Sequence, residues 1–384
     1  MELQDILHKA VEIDASDVVL KIAAPPGVRI HGDLVPLPDA PIMDHDRLER
    51  AVEDLLDDFH RKRLAVELQA DFAYETPDLG RFRVNIFRQR GELSAVIRVI
   101  PSHIRSVGEL NLPTVVERIA GERRGLVLVT GTTGSGKSTT LAAMIDCINQ
   151  TRRCHIITIE DPIEYVHTDR LSFVNQREVG YDAVSFAGAL RAAMRQNPDV
   201  ILVGEMRDLE TIETAIMAAE TGHLVMSTLH TLDAPETITR TISVFPEHQR
   251  DQVRLILASV LRGIISQRLL PHADGVSMVP AVEVLVSSAR VREYIADKEK
   301  LRDLREVIAQ GHTTYGMQTF DQSLMGLLND GLITREEALA NASNPADFEL
   351  KLRGIASTSD SHWDDFERRD AVGDSKAKVA IDRF

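Results

Sequence analysis

Gly131-Thr132-Thr133-Gly134-Ser135-Gly136-Lys137-Ser138-Thr139, preceded by the run Leu126-Val127-Leu128-Val129-Thr130, decides the fold of this chain. The apolar run is short, rich in β-branched residues and bounded by glycines, which predicts a buried strand. From Ser138 to Gln150 the residues Leu141, Met144, Ile145 and Ile148 recur along one side, which predicts a helix. Between the two, glycines let the backbone turn tightly enough to aim several N–H groups at one oxyanion. The helix N-terminus adds its partial positive charge. The spacing is that of G-x-x-x-x-G-K-[ST], in which Lys137 supplies a mobile cation for the β/γ-phosphates and the Ser138 hydroxyl a Mg²⁺ ligand. A glycine-rich turn of no function would not need strand, loop and helix in register. Residues 131–139 are thus the predicted cradle of a nucleoside triphosphate.

Outward from that loop the pattern alternates. A helix is expected over 114–121, strands over 126–130 and 154–159 around the helix 138–150, then helix 185–196, strand 199–203, helix 208–220 and strand 223–229. Strands joined by crossover helices predict a mostly parallel sheet covered on both faces, an α/β fold. Asp208 is the expected N-cap and Gly222 the expected C′ residue of the helix between them. Beyond 246 the chain reads as largely helical to about 353. The tail 356–384, which holds Trp363, reads as disordered from its serine, threonine and charge content.

Upstream, residues 2–13 fit an amphipathic helix. Asp17–Ile22 and Val28–His31 read as strands about an Ala24-Pro25-Pro26-Gly27 turn. A charged helix is expected over 44–69. Strands are expected over 71–75 and, as a hairpin turning at Arg90-Gly91, over 80–100. Two prolines and little periodicity mark 101–113 as a linker. The domains are therefore expected at 1–100 and 114–355.

With 384 residues, 43% hydrophobic and 27% charged, the composition is that of a globular protein with chain enough for two cores. A net charge of -15 argues against sequence-independent nucleic-acid binding, which needs a basic face. Cys147 and Cys154 form no paired motif, so neither a disulfide framework nor a zinc site is indicated. The N-terminus does not read as a signal peptide, and no apolar run approaches spanning length. The expected location is the cytoplasm, without membrane insertion.

Hydrolysis needs a metal-holding acid and a group that orients water. Glu205 follows the strand Val200-Ile201-Leu202-Val203-Gly204, the Walker B position, with Gly204 where aspartate is commoner. Thr158-Ile159-Glu160-Asp161-Pro162-Ile163-Glu164 places three carboxylates after another strand. Spacing does not choose among them, and a charged loop is the commoner case. His223 and His230 bracket the apolar strand 224–229, where structural histidines are as well supported as catalytic ones. The basic hairpin Arg81-Phe82-Arg83…Arg98 offers arginines for charge stabilisation between subunits, or simply an exposed basic face.

Together, GTTGSGKST, TIEDPIE, VGEMRDLETIETA and TGHLVMSTLHT resemble the secretion ATPase superfamily, and within it the PilT-type retraction ATPases of type IV pili. The likeness runs from about residue 1 to 353 and includes Val174–Gly180 and Gly316–Leu324. It implies a RecA-like P-loop core, a smaller PAS-like α+β N-terminal domain and a helical C-terminal region. It also implies a homo-hexamer that binds ATP and Mg²⁺, drives pilus retraction for twitching motility, and docks on the inner-membrane platform protein at the pilus base, with a paralogous pilus ATPase as a further partner. By the same resemblance Glu164 is the general base, Glu205 the Walker B acid with Ser138 on the metal, His223 and His230 the His-box residues, and Arg83 and Arg98 the trans-acting arginines. Two departures stand out: Ser16-Asp17-Val18-Val19-Leu20 lacks the usual histidine, and Ala289–Ile295 only loosely echoes the retraction motif. They leave room for a PilU-like accessory ATPase. An extension or type II secretion ATPase, and a nucleotide-binding scaffold that hydrolyses little, are the competing readings.

Overall fold

The computed structural model describes residues 1–30, 32–100 and 103–353. His31, Pro101, Ser102 and the tail expectation for 356–384, Trp363 included, lie outside the described residues. The chain divides into two compact units. The first comprises Met1–Ile104 with Ile159–Thr168 and Gln176–Ser185. The second comprises Arg105–Thr158, Asp169–Asn175 and, among the described residues, 186–353. The carboxylate-rich turn after the strand at 155–160 therefore clusters with the N-terminal unit, not with the phosphate loop's unit as the sequence led us to expect.

The first unit is built on a six-stranded sheet, ordered β3-β2-β1-β6-β5-β4. Its elements are α1 (Leu3–Glu12), β1 (Asp17–Lys21), β2 (Gly27–Ile30), β3 (Asp33–Pro36), α2 (His45–Leu55), α3 (Asp58–Glu67), β4 (Gln69–Thr76), β5 (Gly80–Gln89) and β6 (Glu92–Val99). Every pairing is antiparallel. The hairpin β5–β6 turns at Arg90-Gly91, both with positive φ. Leu3, Ile6, Leu7 and Ala10, the apolar stripe of α1, enter a core with Val18, Leu20, Phe82, Val84, Ile86 and Ile97. One long helix was expected over 44–69; two form, because Leu56 is extended and Asp57 starts α3 by accepting the His60 N–H. The edge strand β3 escapes a pattern reading: all four of its residues are exposed, so no alternation marks it.

In the second unit a seven-stranded sheet has the order β13-β12-β7-β11-β10-β8-β9. Chain order runs α4 (Val115–Ala120), β7 (Gly125–Thr130), α5 (Lys137–Thr151), β8 (His155–Glu160), β9 (Phe173–Glu178), α6 (Phe186–Ala193), β10 (Val200–Val203), α7 (Leu209–Glu220), β11 (Leu224–Leu229), α8 (Ala234–Ser243) and α9 (Arg250–Val260). The strands β12 (Leu261–Pro271) and β13 (Met278–Val286) follow. The helices α10 (Ala289–Ala296), α11 (Leu304–Gln310), α12 (His312–Tyr315), α13 (Phe320–Asn329), α14 (Arg335–Asn341) and α15 (Pro345–Leu352) complete it. β7 pairs in parallel with β11 and with β12, and β10 with β11. Val127, Val129, Leu141, Met144, Ile145, Val200 and Met226 belong to one core. Val107 and Leu112 are buried in that core too, so the C-terminal half of the segment read as a linker is packed. Asp208 caps α7 by accepting the Thr211 N–H, as expected.

The hairpin β12–β13 corrects the expectation of a largely helical region beyond 246. It pairs from Gly263↔Val286 to Pro271↔Met278 and widens the parallel sheet. Both strands are buried on both faces for most of their length. Such strands show no period-2 alternation, and their apolar runs read like buried helix. α13 and α14 then cover the hairpin, with Phe320, Leu324 and Ala338 packed against Leu270, Val279 and Ala281.

A carboxyl group lies deep in this hairpin. Glu283 of β13 is 3% exposed. Burial pushes its carboxyl up to about 7, and the neighbouring charge of Asp233 adds to this; the Ala234 N–H, Arg305 and Arg268 oppose it. The folded chain thus holds a proton that the unfolded chain releases near 4.5, so stability falls as pH rises through the window between about 4.5 and about 7. Thermal melts across that window should show this slope in wild type and a flatter profile in Glu283→Gln, which has no proton to lose there.

Candidate nucleotide site

β7 ends at Thr130 and the chain turns through residues 131–136 into α5. Gly131, Gly134 and Gly136 all have positive φ. At Gly131 a Cβ would also lie 2.4 Å from the Gln267 carbonyl and 2.5 Å from Ser135 Oγ, so no other residue fits. No side chain caps the start of α5, and its first N–H groups open toward the loop. Lys137 is buried, its Nζ donating to the carbonyls of Gly131 at 3.0 Å and Thr132 at 2.9 Å. These bonds fold the cation back over the cradle formed by residues 131–139, Thr133, Ser138 and Thr139 among them. Behind the loop, Gln267 of β12 donates through Nε2 to Thr140 Oγ1 at 2.8 Å. Thr130 Oγ1 donates to Ser266 Oγ at 2.9 Å. The loop is thereby fixed to β12, which sequence reading had missed as a strand.

Strand register brings the next residues to the same edge. Thr130 pairs with Leu229 across β7 and β11, and Val203 pairs with Ser227 across β10 and β11. Glu205, two residues past Val203, and His230, directly after Leu229, therefore rise at the carboxyl end beside the loop, where open α/β sheets bind ligands. His230 Nε2 lies 3.1 Å from Glu205 Oε1, and Arg207 Nε bonds the same oxygen. Sequence reading named Glu205 and His230 separately and overlooked Arg207. Thr228 Oγ1 donates to the Gly204 carbonyl at 2.7 Å and holds the turn that presents Glu205.

His223 is placed otherwise. It precedes β11, so the length of that strand, roughly 20 Å, separates it from the loop edge. Its Nδ1 is 2.9 Å from the Ala218 carbonyl, its N–H bonds the same oxygen, and its carbonyl accepts the Gly125 N–H. Within one chain these are the contacts of a structural histidine closing α7 onto β11, and they do not bring it to the phosphate cradle.

In the first unit Arg83 of β5 donates to both oxygens of Asp71, at 2.8 and 3.3 Å, and stands 3.9 Å from Glu164 Oε1. The hydrogen bond to Asp71 chiefly raises its pKa above the ordinary guanidinium value, with Glu164 and Asp161 adding to it. Arg98 lies directly across β6 from Arg83 but bonds Asp17 at 2.9 Å, not Glu164. Arg81 reaches Glu178 at 3.0 Å, and the same Glu178 oxygen accepts the Ile163 N–H at 3.2 Å. Glu178 and Arg81 thus hold the backbone next to Glu164, roles that no spacing rule reveals. Of the three acids, Glu160 is engaged by Gln176 Nε2 at 3.2 Å, whereas Glu164 faces the arginine.

With this geometry in view, likeness to known proteins is informative. Residues 74–318 match the family model of the type II/IV secretion system proteins. The type IV pilus retraction ATPase PilT of Pseudomonas aeruginosa is 44% identical over 348 residues, covering 91% of this chain and all of that protein. The type IV pilus ATPase PilU of the same organism is 38% identical over 361 residues, 94% of each chain. A crystal structure of the pilus retraction motor PilT with bound ADP superposes with a TM-score of 0.85 at 47% identity, covering 91% of this chain and 99% of that one. A phosphate cradle, an acid–histidine pair at its edge and likeness along nearly the whole length converge: the chain is an ATPase and belongs to the pilus retraction ATPases of the type II/IV secretion family.

Proposed function

We propose that this retraction ATPase works as a homo-hexameric ring that hydrolyses ATP with Mg²⁺ and converts the cycle into disassembly of the pilus for twitching motility. The observation that carries the reading is the Glu205–His230 pair standing at the same sheet edge as Lys137 and Ser138. The donors on offer to a metal, the Ser138 hydroxyl and the Glu205 carboxylate, are hard oxygens, which suits Mg²⁺ and its habit of keeping phosphate oxygens and water as its other ligands. When bound, the ion would neutralise charge on the β/γ-oxygens. Lys137 and the loop N–H groups bind the phosphates, His230 orients Glu205, and Glu164 takes the proton of the attacking water. Arg83 and Arg98, side by side on one sheet face, are the arginines offered to a neighbouring subunit's nucleotide. His223 is left with a structural role in this reading.

Among the described residues no helix is long and apolar enough to cross a membrane. The ring would instead act from the cytoplasmic side, docked on the inner-membrane platform protein at the pilus base. The likeness to PilU along 94% of each chain favours one second reading, an accessory retraction ATPase that works beside a paralogue.

A strain lacking the protein, complemented with wild type or with Glu164→Gln, tests the assignment. Abundant surface pili without twitching, restored only by wild type, are the expected outcome. Loss of pili would indicate an extension motor, and normal pili with normal twitching an accessory role.

A further inference from the structure

Glu283 lies two strands across the sheet from Thr130, on a row that begins at the phosphate loop. Thr130, the residue before Gly131, pairs with Ser266, and Ser266 pairs with Glu283. From the end of that row Glu283 Oε1 accepts the N–H of Ala234 at 2.9 Å, the first residue of α8. A buried carboxyl thus pins the start of that helix to the sheet at the height of the loop.

The start of α8 in turn grips the segment that carries His230. Thr237, in the first turn, bonds Thr231 through their hydroxyls at 2.7 Å and donates to the Asp233 carbonyl at 2.6 Å. Glu236 accepts the Leu232 N–H at 2.9 Å. Asp233 caps the helix through the Glu236 N–H and also accepts from Arg305 of α11 at 2.5 Å. Residues 231–233 are therefore fastened to α8 at each position, and His230, directly before them, meets Glu205 at 3.1 Å. A cavity of about 250 Å³ opens beside Glu283, and Arg268, Arg305, Asp321 and Lys351 are the other charges lining it besides Asp233 and Glu306. Ala234 is fully buried where α8 packs on β12 and β13, and the hydrogen bond to Glu283 fixes its backbone there together with the bond from Arg305 to Asp233.

We propose that Glu283 is a positioning residue for ATP hydrolysis: by anchoring the first turn of α8 it sets His230 against Glu205. This rests on the roles given above to His230 and Glu205. The anchor is the acceptor oxygen on the Ala234 N–H, which a glutamine supplies equally well. A leucine does not, and it strands that N–H in a buried site.

The test is steady-state phosphate release by the purified full chain. Glu283→Leu is expected to lower kcat about tenfold with KM for ATP unchanged, since a displaced catalytic pair acts on the chemical step and leaves ground-state binding alone. Glu283→Gln should return kcat to the wild-type range. In a His230→Ala background Glu283→Leu should produce no further loss, because its effect passes through His230. Should Glu283→Leu fail to fold, Thr237→Val cuts the path one link later and should give the same split. An equal effect of Glu283→Leu with and without His230, a rise in KM in place of a fall in kcat, or failure of Glu283→Gln to restore turnover would each overturn the proposal. Absence of turnover in wild type would instead strike the roles on which it rests.

Discussion

Replacing Lys137 by alanine is expected to lower ATP turnover by about 100-fold or more, the scale set by removing one preorganised charge from a reacting oxyanion. The ammonium donates to two loop carbonyls, which aim it over the cradle. Its loss removes the mobile cation while the loop N–H groups remain, and residual nucleotide binding should persist. The fold should survive, because the core behind the loop is made by Val127, Val129, Leu141 and Met144, which the substitution does not touch. The hydrogen bonds to the two carbonyls are lost from a large unit, and the melting temperature should fall by no more than about 5 °C. Phosphate release and a thermal melt of the same preparation check both parts. Normal turnover in a folded Lys137→Ala protein would remove residues 131–139 from the site.

That expectation was legible in the sequence because a phosphate loop is local chemistry: strand, glycines, lysine and helix are contiguous, and each enforces its own geometry. The same holds for Asp208, whose capping bond lies within one turn. What stayed hidden depends on pairs distant in the chain. Gln267 and Ser266 brace the loop from a hairpin whose burial on both faces erased the alternation that marks a strand. Glu178 bonds Arg81, 97 positions away, and nothing about either residue announces the other. His223 and His230 bracket one strand in the sequence, and strand direction separates them, one at the carboxyl edge with Glu205 and one at the amino edge closing α7. Arg83 and Arg98 carry one shared role in the resemblance, placed by the spacing around Gly91. Register sets them side by side, but Asp71 and Asp17 take them separately, and only Arg83 also faces Glu164.

The choice among the three acids after β8 is where a second large effect is expected. Glu164→Gln should lower kcat by about 10³-fold, within the range usual for loss of a general base, while ATP affinity changes little. Glutamine keeps the length and one acceptor oxygen but cannot take a proton, so the substitution isolates proton transfer from packing. Glu160 already accepts from Gln176, and Gln176 also bonds the Tyr165 carbonyl, which makes Glu160 part of the turn's own framework. Glu160→Gln should therefore cost stability more than turnover. The weak approach of Arg83 to Glu164, 3.9 Å with Asp71 as the guanidinium's stronger partner, offers an internal control. If Glu164 served only to hold Arg83, then Arg83→Ala and Glu164→Gln would be equally slow, and the double variant no slower than either. If Glu164 is the base, turnover in Glu164→Gln falls well below that in Arg83→Ala. Single-turnover measurements on the two variants decide between these, and equal rates would return the base to Asp161.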